Sequence, residues 1–174
     1  MKKLIFFLLF ALGISTHVDA QKTYKAYMVS NTHLDTQWLW TVQTTIDHYL
    51  YRTLTQNFWL IDHYPGYIFN FEGAVRYQWA KEYYPTEYER LKNYIKAGRW
   101  NISGSSWDST DPNIPSPESF FRNLLYGQEF FKKEFGKKSN DIFLPDCFGF
   151  GYTLPTIAAH SGIILSLIHI SEPT

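Results

Sequence analysis

Short apolar segments alternate along the chain with longer segments in which apolar residues recur every three or four positions. The short segments are rich in aromatic and β-branched residues, which is typical of buried strands. Four of them predict strands, which cover residues 24–29, 67–72, 99–103 and 141–146. Polar residues follow each of these segments, so the pattern also predicts where loops begin.

The longer segments predict helices, because their apolar residues fall on one face at helical spacing. The predicted helices cover residues 42–63, 74–97 with a break near Pro85, and 117–135, and a fourth begins at Leu154. Strands that alternate with helices in this order predict parallel strands joined by right-handed crossovers. The fold class is therefore α/β, with about four βα units of a barrel or of an open parallel sheet.

The first twenty residues predict a secretory signal peptide. A positively charged start at residues 1–3 precedes an apolar run at 4–14, and Val18-Asp19-Ala20 has the small-x-small pattern of a cleavage site. The apolar run is too short for a membrane-spanning helix. We therefore expect cleavage near Ala20 and a mature protein that is secreted or periplasmic and does not cross a membrane.

The last ten residues, 165–174, break the pattern of the preceding chain. They match the conceptual translation of a transposase-type sequencing adapter, so we expect the natural sequence to stop near Ile164 and its gene to continue. The alternative is a genuine C-terminal strand over residues 163–170. The expected organisation is a signal peptide at 1–20, a catalytic-domain segment at 21–164 and a tail that is not native protein.

Charge and cysteine content exclude several classes of protein. The formal net charge is zero, so nothing in the composition indicates binding to nucleic acid or to an anionic membrane. Cys147 is the only cysteine, which excludes a disulfide within the chain. Aromatic residues make up 19% of the sequence, a content that fits a carbohydrate-binding protein and equally a large secreted enzyme.

Polar side chains collect at the predicted strand ends: His33 and Asp35, Glu72, Trp107 and Asp111, and Asp146. In parallel α/β folds, active sites lie at the carboxyl ends of the strands. His33 and Asp35 are two positions apart, so in an extended backbone they point the same way while Leu34 points into the core. A converging imidazole and carboxylate form half of a zinc site. The pattern therefore predicts a metal or acid–base site.

Two motifs make this prediction specific. Leu144-Pro145-Asp146-Cys147-Phe148-Gly149-Phe150-Gly151 is similar to one signature of glycoside hydrolase family 38, the α-mannosidases, and His33-x-Asp35 with Trp38 resembles another. The motifs stand in the family's order, and the resemblance runs from about Ala26 to about Gly162. It implies a seven-stranded parallel (β/α) barrel, of which this chain would hold roughly half.

The resemblance also implies roles for individual residues. His33, Asp35 and Asp146 would bind one zinc ion, and Asp146 would also be the nucleophile of a retaining mechanism. Trp38 would form the platform under the sugar, with Phe148 packed beside it. Asp111 falls where the family has an acidic residue near the substrate. The expected substrates are mannose-containing glycans.

The family's fourth zinc ligand and its general acid/base lie further along than residue 164, so the resemblance implies an inactive fragment of an active α-mannosidase. One alternative is a zinc-dependent polysaccharide deacetylase, which also uses a histidine–aspartate metal site on a parallel barrel. Another is a non-catalytic carbohydrate-binding fragment.

The roles of two further residues stay open or point away from catalysis. Glu72 could cap a helix, pair with Arg76 or contact the substrate. Cys147 is next to the proposed nucleophile, but no histidine base lies near it in the sequence, so we expect it to serve packing.

Overall fold

The computed structural model describes residues 28–168. The predicted signal peptide, the larger part of the predicted first strand and the end of the tail lie outside these residues. Within them, no helix is both long enough and apolar enough to cross a membrane.

All strands of the described residues pair in parallel, as the alternating pattern predicts. Their bounds are β1 Ser30–Thr32, β2 Phe69–Glu72, β3 Trp100–Ser103, β4 Asp141–Leu144 and β5 Leu165–Ile168. They form a three-stranded sheet in the order β1-β2-β3 and a two-stranded sheet of β4 and β5. The mixed α/β class with parallel strands is confirmed, and closure into a seven-stranded barrel stays a prediction.

The helices lie where their periodicity predicts them. Their bounds are α1 Val42–Thr44, a π-helical turn at Thr45–Leu50, α2 Tyr51–His63, α3 Ala74–Tyr83, α4 Pro85–Lys96, α5 Pro117–Phe135 and α6 Leu154–His160. Pro85 separates α3 from α4 because proline is tolerated at the first position of a helix but not in its interior. At the start of α5, the Ser116 hydroxyl accepts a hydrogen bond from the Ser119 amide at 3.2 Å.

The larger core lies between the three-stranded sheet and helices α2 to α4. It is built from aromatic side chains such as Phe58, Phe69, Phe71 and Trp100, which are all but fully buried. Polar atoms inside it are satisfied: the Trp100 indole donates to the Tyr77 hydroxyl at 3.1 Å, and this hydroxyl donates to the Phe71 carbonyl at 2.8 Å. This packing fixes the strand ends, and with them the polar residues that follow.

A smaller core joins β4 to helices α5 and α6. The carboxylate of Asp141, the first residue of β4, connects the two sheets, because its Oδ2 accepts from the Ser103 hydroxyl at 2.5 Å and from the Gly104 amide at 3.0 Å. The loop after β1 and the loop after β4 also meet, since His33 and Asp146 approach within 3.8 Å.

The strand β5 covers the first four residues of the anomalous tail, and it pairs with β4 along its whole length. Backbone pairing carries no information on the origin of a sequence. The interpretation of residues 165–174 as an adapter translation therefore stays a prediction.

Candidate metal centre

Three side chains predicted to share a site come together in the structure. His33, Asp35 and Asp146 each offer a ligand atom, and the three atoms all lie within 4.8 Å of one another. The Nε2 atom of His33 is 3.3 Å from Oδ1 of Asp35 and 3.8 Å from Oδ2 of Asp146. Leu34, between the first two, is buried as the two-residue alternation requires.

The chemistry of these donors fits zinc. One imidazole nitrogen and two carboxylate oxygens are ligands that Zn²⁺ accepts, and catalytic zinc sites have three protein ligands with a further position open. Carboxylates at such short separation also repel each other unless a cation or a proton lies between them. His33, Asp35 and Asp146 would therefore be the ligands that this chain contributes.

The other ring nitrogen of His33 contacts Glu72, the last residue of β2. Its Nδ1 atom is 3.0 Å from Oε1 of Glu72, a side chain that is 1% exposed. This hydrogen bond raises the pKa of His33 above its ordinary value; Asp35 adds to the increase, whereas burial and the charge of Arg76 oppose it. Oε2 of Glu72 accepts from the Ser109 hydroxyl at 2.9 Å. The contacts of Glu72 are thus with His33 and Ser109, not with Arg76.

Arg76, in the first turn of α3, holds the backbone between the first two predicted ligands. Its guanidinium is fully buried, and its Nε donates to the Leu34 carbonyl at 3.0 Å, with a second donation from Nη2. Its Nη1 pairs with Oδ1 of Asp108 at 3.0 Å. The other oxygen of Asp108 accepts from the Thr36 hydroxyl at 2.6 Å. The segment Leu34–Thr36 is therefore tied to one buried arginine, directly at Leu34 and through Asp108 at Thr36.

The residues expected to contact substrate lie in loops. Trp38 and Phe148 are exposed, at 65% and 87%, and the Trp38 ring is 6.5 Å from that of Trp40. Asp111 accepts a hydrogen bond from the Asn113 amide at 2.8 Å. The structure gives no direct contact of these three side chains with the candidate ligands, so their substrate roles stay predictions.

The loop after β4 carries Asp146 and has few polar attachments. The side chain of Asn113 donates to the Gly149 carbonyl at 2.7 Å, which joins this loop to the one after β3. Burial raises the pKa of Cys147 to about 11, and the nearby Asp111 and Asp146 carboxylates add to this effect. A thiol of that kind stays protonated near neutral pH, which agrees with a packing role.

A family model described as the glycosyl hydrolases family 38 N-terminal domain matches residues 23–170 of this chain. The chain belongs to glycosyl hydrolase family 38. The resemblance noted from the two sequence motifs is thereby confirmed.

Curated relatives in family 38 carry mannosidase names. Alpha-mannosidase G of Dictyostelium discoideum is 42% identical over 149 residues, and alpha-mannosidase 2C1 of Homo sapiens is 34% identical over 145 residues. These alignments cover 86% and 83% of this chain but only 14% of each relative. The chain therefore spans about one seventh of the curated relatives that it matches.

Solved structures share the fold at lower identity. An alpha-mannosidase from Enterococcus faecalis V583 superposes with a TM-score of 0.70 at 24% identity, over 80% of this chain and 16% of that one. A 4-alpha-glucanotransferase from Thermococcus litoralis superposes with a TM-score of 0.61 at 16% identity, over 79% of this chain and 21% of that one.

Sequence reasoning does not identify the residues that hold the candidate ligands in place. It gives no role to Asp108 and Ser109, names Arg76 only as a possible partner of Glu72, and leaves three roles open for Glu72. The available signal was the position of Glu72 at a strand end directly before a helix that carries Arg76. This position does not show that Glu72 pairs with Ser109 or that Arg76 pairs with Asp108, because both partners lie in a loop without periodicity.

Proposed function

We propose that this chain carries the nucleophile and three zinc ligands of a retaining α-mannosidase that hydrolyses terminal α-mannosides of glycans. The observation that carries the proposal is the convergence of His33, Asp35 and Asp146 within 4.8 Å, in a chain of glycosyl hydrolase family 38. The names of the curated relatives indicate the sugar.

Asp146 is suited to the role of nucleophile. Its side chain is 51% exposed, so a substrate can reach it, and it is held near His33 rather than enclosed in the core. Its carboxylate would attack the anomeric carbon and form an ester with the mannosyl group while the bond to the leaving oxygen breaks. Water would then hydrolyse that ester and release mannose with the original anomeric configuration.

A retaining mechanism needs a second carboxyl group, roughly 5 Å from the first, that donates a proton to the leaving oxygen and later takes one from water. We propose that it and the fourth zinc ligand come from a part of the protein outside residues 1–174. His33, Asp35 and Asp146 would hold the zinc ion, which would supply a Lewis acid beside the bound sugar. Trp38, Phe148 and Asp111 would bind and orient the sugar around Asp146.

The test is hydrolysis of 4-nitrophenyl α-mannoside by the full-length protein. We expect activity that a chelator removes and zinc restores, with α-mannose as the first product seen by proton NMR. The Asp146→Asn variant should be inactive, whereas Asp62→Asn should keep activity, because Asp62 pairs with Arg90 on the helix surface. Release of acetate from an acetylated polysaccharide in place of mannose would indicate a deacetylase. No zinc-dependent turnover at all would indicate a binding protein.

We further propose that the protein is secreted or periplasmic. The support is the signal-peptide pattern of residues 1–20. N-terminal sequencing of the protein from the extracellular or periplasmic fraction should give a chain that begins near Gln21. A cytoplasmic protein that retains Met1 would contradict this proposal.

A further inference from the structure

We propose that Glu72 is a positioning residue that holds His33 as the tautomer protonated on Nδ1, so that the lone pair of Nε2 points toward Asp35 and Asp146. This inference rests on the proposed function for the identity of the metal. Glu72 would neither bind the metal nor take part in the reaction itself; it would act through His33.

The choice of tautomer follows from the two neighbours of the ring. A neutral imidazole has one N–H group, and both Glu72 and Asp35 are carboxylates that accept hydrogen bonds. The contact with Glu72 is the shorter, at 3.0 Å against 3.3 Å. Glu72 is also buried, whereas Asp35 is 30% exposed, and a hydrogen bond is stronger where water is excluded. The proton therefore belongs on Nδ1.

The surroundings of Glu72 allow its carboxylate little freedom. The Ser109 hydroxyl donates to Oε2, which leaves Oε1 for the His33 ring. Gly104 lies against the Glu72 side chain with a φ of +85°, and a Cβ atom at Gly104 would come within 3.0 Å of the Glu72 Cβ. A side chain at Gly104 would therefore be strained and would press against Glu72. The acceptor is thus fixed in place before any metal binds.

A fixed acceptor on Nδ1 has two consequences for a metal ligand. It sets the rotation of the ring, so that Nε2 is aimed at the carboxylates, and it increases the basicity of that nitrogen. Loss of such a hydrogen-bond partner typically weakens metal binding by about 10- to 100-fold. A partner that only filled space would not change the affinity of a protein that still folds.

The test is a comparison of zinc affinities, measured in the full-length protein by competition with a chromogenic chelator. Glu72→Ala should weaken zinc binding by about 10- to 100-fold. Glu72→Gln keeps an acceptor for Nδ1 and should have a smaller effect, and it replaces Glu72→Ala if that variant does not fold. The matched control is Glu118→Ala, which removes an exposed glutamate paired with Arg122 on α5 and should leave the affinity unchanged.

A double-mutant cycle separates positioning from general support. If Glu72 acts through His33, then Glu72→Ala should change zinc affinity less than about twofold in a His33→Ala background. An equal loss in both backgrounds, or wild-type affinity in Glu72→Ala, would overturn the proposal while leaving the zinc enzyme intact.

The same cycle without metal distinguishes this inference from the proposed function. If the wild-type protein binds no zinc, the metal assignment fails. The melting temperatures of the four metal-free proteins then show whether the losses from Glu72→Ala and His33→Ala are less than additive, as a direct hydrogen bond requires. Additive losses would overturn the positioning role itself.

Discussion

His33 and Asp35 lie on a segment that buried groups hold from both sides, whereas Asp146 lies on a loop and is half exposed. Arg76 binds the carbonyl between the first two residues, and Glu72 binds the ring of the first. Among the described residues, Asp146 forms one ion pair, which is with His33 at 3.8 Å. The two sides of the candidate metal centre therefore differ in how firmly they are held.

This difference in rigidity matches the roles that we expect for the His33–Asp35 segment and for the Asp146 loop. A ligand that only holds a metal gains from a fixed position, since less entropy is lost when the ion binds. A nucleophile must also reach the anomeric carbon and form a bond to it, which requires access from solvent. In the proposed function Asp146 has both tasks, and its exposure suits the second. We expect substitutions on the two sides to separate stability from activity.

The largest effect should come from Asp146. Asp146→Asn keeps the shape of the side chain but removes the charge that attacks the sugar, so mannosidase activity should fall by about 10⁴-fold or more. The free energy of unfolding of the metal-free protein should change by less than about 0.5 kcal/mol, because the residue is exposed. The measurements are kcat with 4-nitrophenyl α-mannoside and urea unfolding. A variant with a loss below tenfold would show that another group is the nucleophile.

Substitution of Arg76 should instead lower the stability of the protein. Arg76→Met leaves the Leu34 carbonyl and the partly exposed Asp108 carboxylate without their arginine partner, and leaving a buried polar group unsatisfied costs about 1–3 kcal/mol. Urea unfolding of the metal-free protein measures this loss.

The matched control for Arg76→Met is Arg90→Met, since Arg90 pairs with Asp62 on the surface and should contribute less than about 1 kcal/mol. Equal losses from the two arginine variants would contradict a special role for the buried one.

The elements of the fold were largely predictable from the sequence because their signals are local. Pro117 at the start of α5 and the apolar periodicity up to Phe135 determine that helix, and the structure has the same bounds. The predicted strand at 24–29 lies mostly outside the described residues; within them, residues 28 and 29 are unpaired and the pairing of β1 begins at Ser30. Strand bounds depend on register with a neighbour, here Phe69, which hydrophobic pattern does not specify.

The site was predictable only for residues whose type matches the chemistry. His33, Asp35 and Asp146 were identified because a metal requires such donors at strand ends. Glu72 was not resolved, because its role depends on the ring nitrogen that it contacts across two strands. Closure of a barrel could not be established either, since it depends on strands beyond the described ones.

Gly127 lies where helix α5 packs closely against the loop after β3. A Cβ atom at this position on α5 would come within 2.3 Å of the Ser106 backbone, so Gly127→Ala must displace the loop that carries Ser109. Overpacking of this kind costs about 1–3 kcal/mol, and we expect weaker zinc binding as the Ser109–Glu72 contact is disturbed. Thermal unfolding and chelator competition measure the two effects.

Gly66→Ala is the control for Gly127→Ala, since nothing lies within 4 Å of the added atom. If Gly127→Ala unfolds no more easily than Gly66→Ala, the close approach of α5 to this loop is wrong.

A substitution of Asn113 tests the loop that carries Asp146 and should have the smallest effect. Its side chain donates to the Gly149 carbonyl from an exposed position, so Asn113→Ala should lower the free energy of unfolding by about 0.5–1 kcal/mol. Because the bond joins the Asp146 loop to the loop of Asp111, we expect KM to rise and zinc affinity to stay within twofold. Asn93→Ala, at an exposed position on α4, serves as the control. An unchanged KM would mean that Asp146 does not depend on this contact, and that its position is set by the metal alone.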